Sequence, residues 1–323
     1  MALNLANINY SGKEIAGMII RDTYDSSLLF NAGVRIIPSL KGKYVWHDIS
    51  ANIVINDGSP DCPTFNSEFT LTQNNGLLCD YHIAGTIAHD ALIGTYREQK
   101  YKEGVLIERV SDDAELQGSM MLMIFESLNE QQNTKWLNDS YVYQCQNGLL
   151  EQFETDLYTA LNPIQRPVPA GQKLTAIAIT PANVQDELQR LVETLPGKYA
   201  FGQQSSQFSK PKFFVSYAIA KAYQRSLTYT AAPAGAGFGM PSIDNLPAFA
   251  GFDFVVLAGL GDDVMFLTPP DNLGLVFDTD KDLTNLVIAD GLQDSTLCKL
   301  YKFRLDYRTS IIFGEGEAVV YYR

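Results

Sequence analysis

The chain has 323 residues, with 24 Lys or Arg against 37 Asp or Glu, for a formal charge of −13. That balance excludes a nucleic-acid binder of the usual kind, whose affinity comes from clustered cations displacing counterions along the phosphates. At 46% hydrophobic and 19% charged residues, the chain has too much apolar material for a disordered one. Its length passes the roughly 250–300 residues at which a single core divides, so two compact units with irregular extensions are expected.

No apolar run reaches about 18 residues, and Lys13 and Glu14 interrupt the stretch where a secretion signal would be unbroken. The expectation is synthesis in the cytoplasm with no membrane span. Cys62, Cys79, Cys145 and Cys298 form no C-x-x-C pair, which is the pattern of free buried thiols.

Residues 1–35 read as an arm: weakly periodic, rich in Asn, Ser and Asp, with Gly12, Gly17 and Gly33 spread through them. Short β-like stretches follow at 43–49, 52–55, 68–72 and 77–83. The turn formers Asn56-Asp57-Gly58-Ser59-Pro60-Asp61 lie between the second and third, giving a long hairpin with a polar tip. A hairpin is marginal in water, so this one is expected to lean on its parent domain or on a neighbouring molecule.

Ser111, Asp112, Asp113 and Glu115 supply capping oxygens and negative charge for a helix N-terminus. Leu116, Met120, Met123, Ile124 and Leu128 then mark one apolar stripe. A second helix is expected over 180–195, with Thr180 as N-cap, Pro181 at its first position and Pro196-Gly197 at its end. Its buried face is Val184, Leu188, Leu191, Val192 and Leu195. A strand over 213–215 turns into a helix capped by Ser216, and a Gly/Pro/Ala loop fills 231–251. Strands follow at 252–258, 264–267 and 273–277, and two long strands close the chain at 297–305 and 310–322. The whole is α+β with mostly antiparallel strands.

Residues suited to catalysis are few. His47, His82 and His89 all fall within or just after the hairpin, and Cys79-x-x-His82 with His89 and Asp90 matches no common zinc spacing. Gly235-Ala236-Gly237-Phe238-Gly239 is followed by Pro241 and turn formers, whereas a phosphate loop opens directly into a helix. Asp262-Asp263, and Asp278 with Asp280, read as solvated turns. These residues give no catalytic, cofactor or metal site, and the expected role is shape and self-contact rather than enzymatic chemistry.

The order of parts resembles the major capsid protein of tailed double-stranded-DNA phages, the Hong Kong 97 fold: arm, extended hairpin, long one-sided helix, mixed α+β domain, closing strands. Local stretches are similar to capsid proteins of phages with Bacteroidetes-type hosts. These are Tyr10-Ser11-Gly12-Lys13-Glu14, Trp136-Leu137-Asn138-Asp139, Gln146-Asn147-Gly148-Leu149-Leu150, Lys212-Phe213-Phe214-Val215-Ser216, residues 266–273 and residues 301–307.

The resemblance implies an N-arm at 1–35, an E-loop at 36–90 and a P-domain at 91–142 with a spine helix at about 112–134. It further implies an A-domain at 143–295, with residues 296–323 returning to the P-domain. It implies no cofactor and no covalent cross-link that can be matched to a Lys and an Asn here. Assembly would be with copies of itself, in hexamers and pentamers of an icosahedral virion shell that encloses double-stranded DNA without sequence-specific binding. Scaffolding, portal and decoration proteins would be separate partners.

Aromatic side chains dominate interface hot spots, so the candidate inter-subunit contacts are Tyr10 and Ile15 in the arm, Trp46, Asp57, Gly58, Ser59 and Pro60 in the hairpin, and Trp136. For Trp136 the alternative is the core of its own chain. Rival readings are an encapsulin-like compartment of the same fold, a tail or baseplate protein, and an enzyme with a hidden site.

Overall fold

Phe213-Phe214-Val215 and Met265-Phe266-Leu267 lack the polar alternation of a half-solvated strand, and both faces of both runs are buried. They belong to a computed structural model that describes residues 8–11, 29, 32–38, 43–52, 68–88, 134–138, 148–154, 168–201, 208–231, 241–277, 285–292 and 299–323. The stripe at 116–128, the hairpin tip and the glycine-rich run 235–239 lie outside the described residues.

The strands are β1 (Ile8–Ser11), β2 (Arg35–Pro38), β3 (Lys43–Asn52), β4 (Glu68–Leu77), β5 (Cys79–Ala88), β6 (Lys173–Leu174), β7 (Lys212–Val215), β8 (Phe254–Val256), β9 (Met265–Thr268), β10 (Leu273–Phe277), β11 (Asn285–Leu292), β12 (Lys299–Phe313) and β13 (Val320–Tyr322). The helices with described bounds are α1 (Leu149–Glu154), α2 (Val184–Thr194), α3 (Gly197–Ala200) and α4 (Tyr217–Ala231). Residues 134–138 are also helical.

One sheet has the order β6-β13-β9-β7-β8. Along its strands, alternate side chains enter two different cores. Phe213, Val215, Met265, Leu267, Val320 and Tyr322 face α2 and α4. Phe214, Phe266 and Tyr321 face the other way, onto Trp136, Phe153 of α1 and the second sheet. Phe214 and Phe266 stack with centroids 4.8 Å apart, and Phe153 meets Phe266 edge-on at 5.6 Å.

The second sheet is built on β12. Residues 299–306 pair with β11 and residues 309–313 with β10 along one edge, while β5 covers residues 300–309 along the other. β1 extends the sheet beyond β11, and β2 extends it beyond β10 in parallel. β3 and β4 pair with each other from Lys43↔Leu77 to Asn52↔Glu68 and form a separate two-stranded sheet.

Several expectations change. The two closing strands are one 15-residue strand, β12, followed by the short β13 in the other sheet. Leu305-Asp306-Tyr307-Arg308-Thr309 contains neither Gly nor Pro; its charged residues alternate with buried Leu305 and Tyr307, so the strand runs straight through. Residues 79–88 continue directly from the hairpin, with only buried Leu78 between, yet they pair with β12.

The segment read as an arm to residue 35 joins the core before that point, because Leu29, Ala32 and Val34 are buried in it. Helix α2 begins at Val184, not Thr180. The preceding residues form a turn in which Asn183 Oδ1 accepts from the Thr180 N–H at 2.7 Å. The predicted apolar face of α2 is inward, and its end before Pro196 is as expected, Leu195 being extended. Ser216 caps α4 by accepting from the Ile219 N–H.

Candidate assembly surfaces

The β3–β4 hairpin has ten residues per strand, a reach of about 33 Å at ~3.3 Å per residue. Among the described strands its two members pair only with each other. Such a ribbon exposes a backbone edge on each side, the feature that recruits further strands. Trp46 lies opposite Asn74 along it. Asp57, Gly58, Ser59 and Pro60 belong to the tip and, like Ile15, lie outside the described residues.

Tyr10 sits in β1 opposite Leu286, so its backbone is part of the chain's own sheet. Trp136 is 1% exposed and packs in the chain's own core. It does not present its indole to a neighbour, and the intramolecular alternative is the one the structure adopts.

The β5 and β12 pairing carries a charged ladder on its outer face. Arg308 clamps Asp80 through two nitrogens, one of them Nη2 at 3.0 Å, and His82 Nδ1 is 2.7 Å from Asp306 Oδ1. Arg304 Nε donates to the same Asp306 oxygen at 3.0 Å. Burial would raise the Asp306 carboxyl, but the hydrogen bonds from His82 and Arg304 outweigh it and hold the group below its ordinary value. His82, whose spacing from Cys79 matches no common zinc pattern, serves here as a strand-to-strand polar contact. Among the described residues no three His, Cys, Asp or Glu side chains gather as a metal site, and no described helix is long and apolar enough to cross a membrane.

The turn between β9 and β10 joins the two sheets. Both carboxylate oxygens of Asp271 accept from the Ser209 N–H, at 3.0 and 2.8 Å, and Asn272 holds the turn that connects β12 to β13. Nothing in periodicity signals this clamp. The signal present was the polar pair Asp271-Asn272 after Pro269-Pro270, within a stretch singled out only by resemblance. Asp263 is a turn residue as expected, and its Oδ1 accepts from the Ile179 N–H.

Among the described residues, three large apolar side chains stay exposed: Phe201 at 70%, Tyr217 at 57% and Ile177 at 48%.

No protein-family model and no curated protein matches the sequence. Solved structures do match in fold. The satellite phage P4 procapsid aligns over 95% of this chain and 98% of that one, with a TM-score of 0.56 at 11% identity. The capsid of a native GTA particle covers 92% and 90%, at 0.56 and 10% identity. An encapsulin complex from Synechococcus elongatus covers 92% and 87%, at 0.51 and 12% identity. The chain has the capsid-shell fold. It is the mixed α+β architecture of these shell subunits from nearly end to end, as expected from the order of its parts.

Proposed function

We propose that this chain is the major capsid protein of a tailed double-stranded-DNA phage, a structural protein that assembles into an icosahedral shell around the genome. The observation that carries the reading is a fold match to a procapsid subunit over 95% of one chain and 98% of the other. A match of that extent leaves little of the chain for a second, catalytic unit.

On this reading the β3–β4 hairpin is the E-loop and residues 134–138 end the spine helix expected at 112–134. The β12 sheet is the body of the P-domain, and the β6-β13-β9-β7-β8 sheet with α2 and α4 is that of the A-domain. Tyr10, Ile15, Trp46 and Asp57-Gly58-Ser59-Pro60 belong to extensions that reach neighbouring subunits in hexamers and pentamers. Such contacts are heterologous, joining different patches on the two copies, and they close by rotation. The formal charge of −13 suits a container that holds DNA mobile, since an acidic wall offers the phosphates no counterion-releasing cations. A separate protein sets the shell's size or entry point; the P4 procapsid structure itself includes a size determination protein.

The encapsulin match favours a second reading, the same shell around a protein cargo. Sedimentation of the native particles followed by nuclease treatment separates the two: protected double-stranded DNA supports the phage capsid, and a protein cargo without DNA supports the compartment. A slowly sedimenting monomer or small ring contradicts both.

A further inference from the structure

Both edges of the five-stranded sheet end in backbone groups aimed outward. In β8, Asp253 accepts from the Phe213 N–H and Leu257 donates to the Val215 carbonyl, each at 2.9 Å. Residues 253, 255 and 257 therefore face β7, and the N–H and C=O groups of Phe254 and Val256 face away. They have no hydrogen-bond partner among the described residues. In β6, Arg323 donates to the Leu174 carbonyl and Ala176 donates to the Arg323 carbonyl. The carbonyl of Lys173 and both backbone groups of Thr175 therefore point outward, again with no partner among the described residues.

The two edges are complementary. β8 runs parallel to β7, β7 and β13 both run antiparallel to β9, and β13 runs parallel to β6. β6 and β8 thus point the same way, as a rotation about an axis along the strands requires. Setting residue 254 of one copy opposite residue 174 of the next satisfies three bonds: Phe254 N–H to the Lys173 carbonyl, Thr175 N–H to the Phe254 carbonyl, and Val256 N–H to the Thr175 carbonyl.

The same register sets Lys173 directly opposite Asp253, and neither has an ion-pair partner among the described residues. Lys173 Nζ reaches only the Glu154 carbonyl, at 3.1 Å. It also sets exposed Ile177 opposite Leu257, on the face shared by Lys173 and Asp253. One edge thus carries a cation and the other an anion.

We infer that the β8 edge of one copy pairs in parallel with the β6 edge of the next, joining the five-stranded sheets head to tail into the ring of a capsomer. The inference rests on the shell reading above and names the contact within it. This is strand addition between copies, in which main-chain bonds supply affinity and the Lys173–Asp253 pair fixes the register.

The test is a cysteine pair, Lys173→Cys with Asp253→Cys, in assembled particles. Within one chain the two positions are separated by four inter-strand spacings, about 19 Å at ~4.8 Å each, whereas a disulfide needs Cα atoms roughly 4.4–6.8 Å apart. A bond between them can therefore form only between copies. Mild oxidation should give a ladder from dimer upward on a non-reducing gel, while each single variant and the unsubstituted protein with its four cysteines run as monomer. Particles that form normally but yield no ladder overturn the edge pairing alone. Failure of the unsubstituted protein to form particles overturns the shell reading and this contact with it. As a second measurement, Lys173→Glu should lower particle yield at least tenfold, and adding Asp253→Lys should restore it. No restoration contradicts the register.

Discussion

Asn272 grips the backbone of Glu315 at both ends: its Nδ2 donates to the Glu315 carbonyl at 3.0 Å and its Oδ1 accepts from the Glu315 N–H at 2.8 Å. The side chain is fully buried, and its own carbonyl accepts from Gly314. This is where the chain leaves β12 in one sheet and turns toward β13 in the other. Asn272→Ala strands two part-buried backbone groups, at a cost of about 2–4 kcal/mol. At roughly 1.5 °C per kcal/mol for a chain of this length, thermal unfolding should move down by about 3–6 °C. Asn272→Asp keeps the acceptor and loses the donor, so it should fall between.

Gly259 has φ +93°, and a Cβ placed there would lie 2.9 Å from Thr134 Oγ1 and 3.1 Å from Thr134 Cα. Both the left-handed backbone and the close approach of residues 134–138 call for glycine. Gly259→Ala should therefore destabilise by about 1–3 kcal/mol. Gly171→Ala, where a Cβ meets nothing within 4 Å, should change the melting temperature little. Equal effects at the two positions would remove the packing explanation.

Asp306 is held below the ordinary carboxylate value because hydrogen bonds from His82 and Arg304 outweigh the opposing effect of burial. The unfolded chain therefore binds a proton on this group at a higher pH than the folded chain does. The stability the group adds is present above the unfolded value near pH 4 and is lost as pH falls through the lower folded value. Melting temperatures measured from pH 6 to pH 2 should fall less steeply for Asp306→Asn than for the parent. A steeper acid limb in the variant would contradict the assignment.

The hairpin pairs with no other described strand, so its outer part is dispensable for the fold. Val45 and Asn75 lie opposite each other, and joining them through an Asn-Gly turn removes the rest of the ribbon with the register kept. The shortened protein should melt as the parent does and form no shells in negative stain. Shells of normal size would show that the hairpin is not an assembly element.

Where the arm ends sets a fifth outcome. Removing residues 1–28 leaves Leu29, Ala32 and Val34 in the core and β2 in its sheet; the product should fold and fail to assemble. Removing residues 1–35 takes those three core side chains as well and should give insoluble protein.

Local signals carried much of this architecture. The apolar face of α2, the Ser216 cap of α4, the hairpin and the buried runs around Phe214 and Phe266 all follow from periodicity and turn chemistry. β11 was missed, because Asn285–Leu292 mixes Asp290 and Gly291 into a short apolar run and gains its identity only by pairing with β12. The division at 306–309 was misplaced for a related reason: charges on a solvated sheet face look like a loop until the partner strand is known. The role of Asn272 is long-range, 43 residues from its partner, and no window along the chain contains both. The fate of Trp136 was readable only as a choice between core and contact, since a buried aromatic and an interface aromatic look the same in sequence. The two free sheet edges exist only once the strand order is known.

The central claim is that this chain builds a closed shell, and electron microscopy of the native or expressed protein tests it most directly. The account predicts uniform icosahedral particles, or their hexameric and pentameric capsomers, into which the subunit fits with its hairpin lying on a neighbour. A monodisperse monomer across salt, pH and concentration, with a scaffolding protein supplied from the same genome, would contradict it.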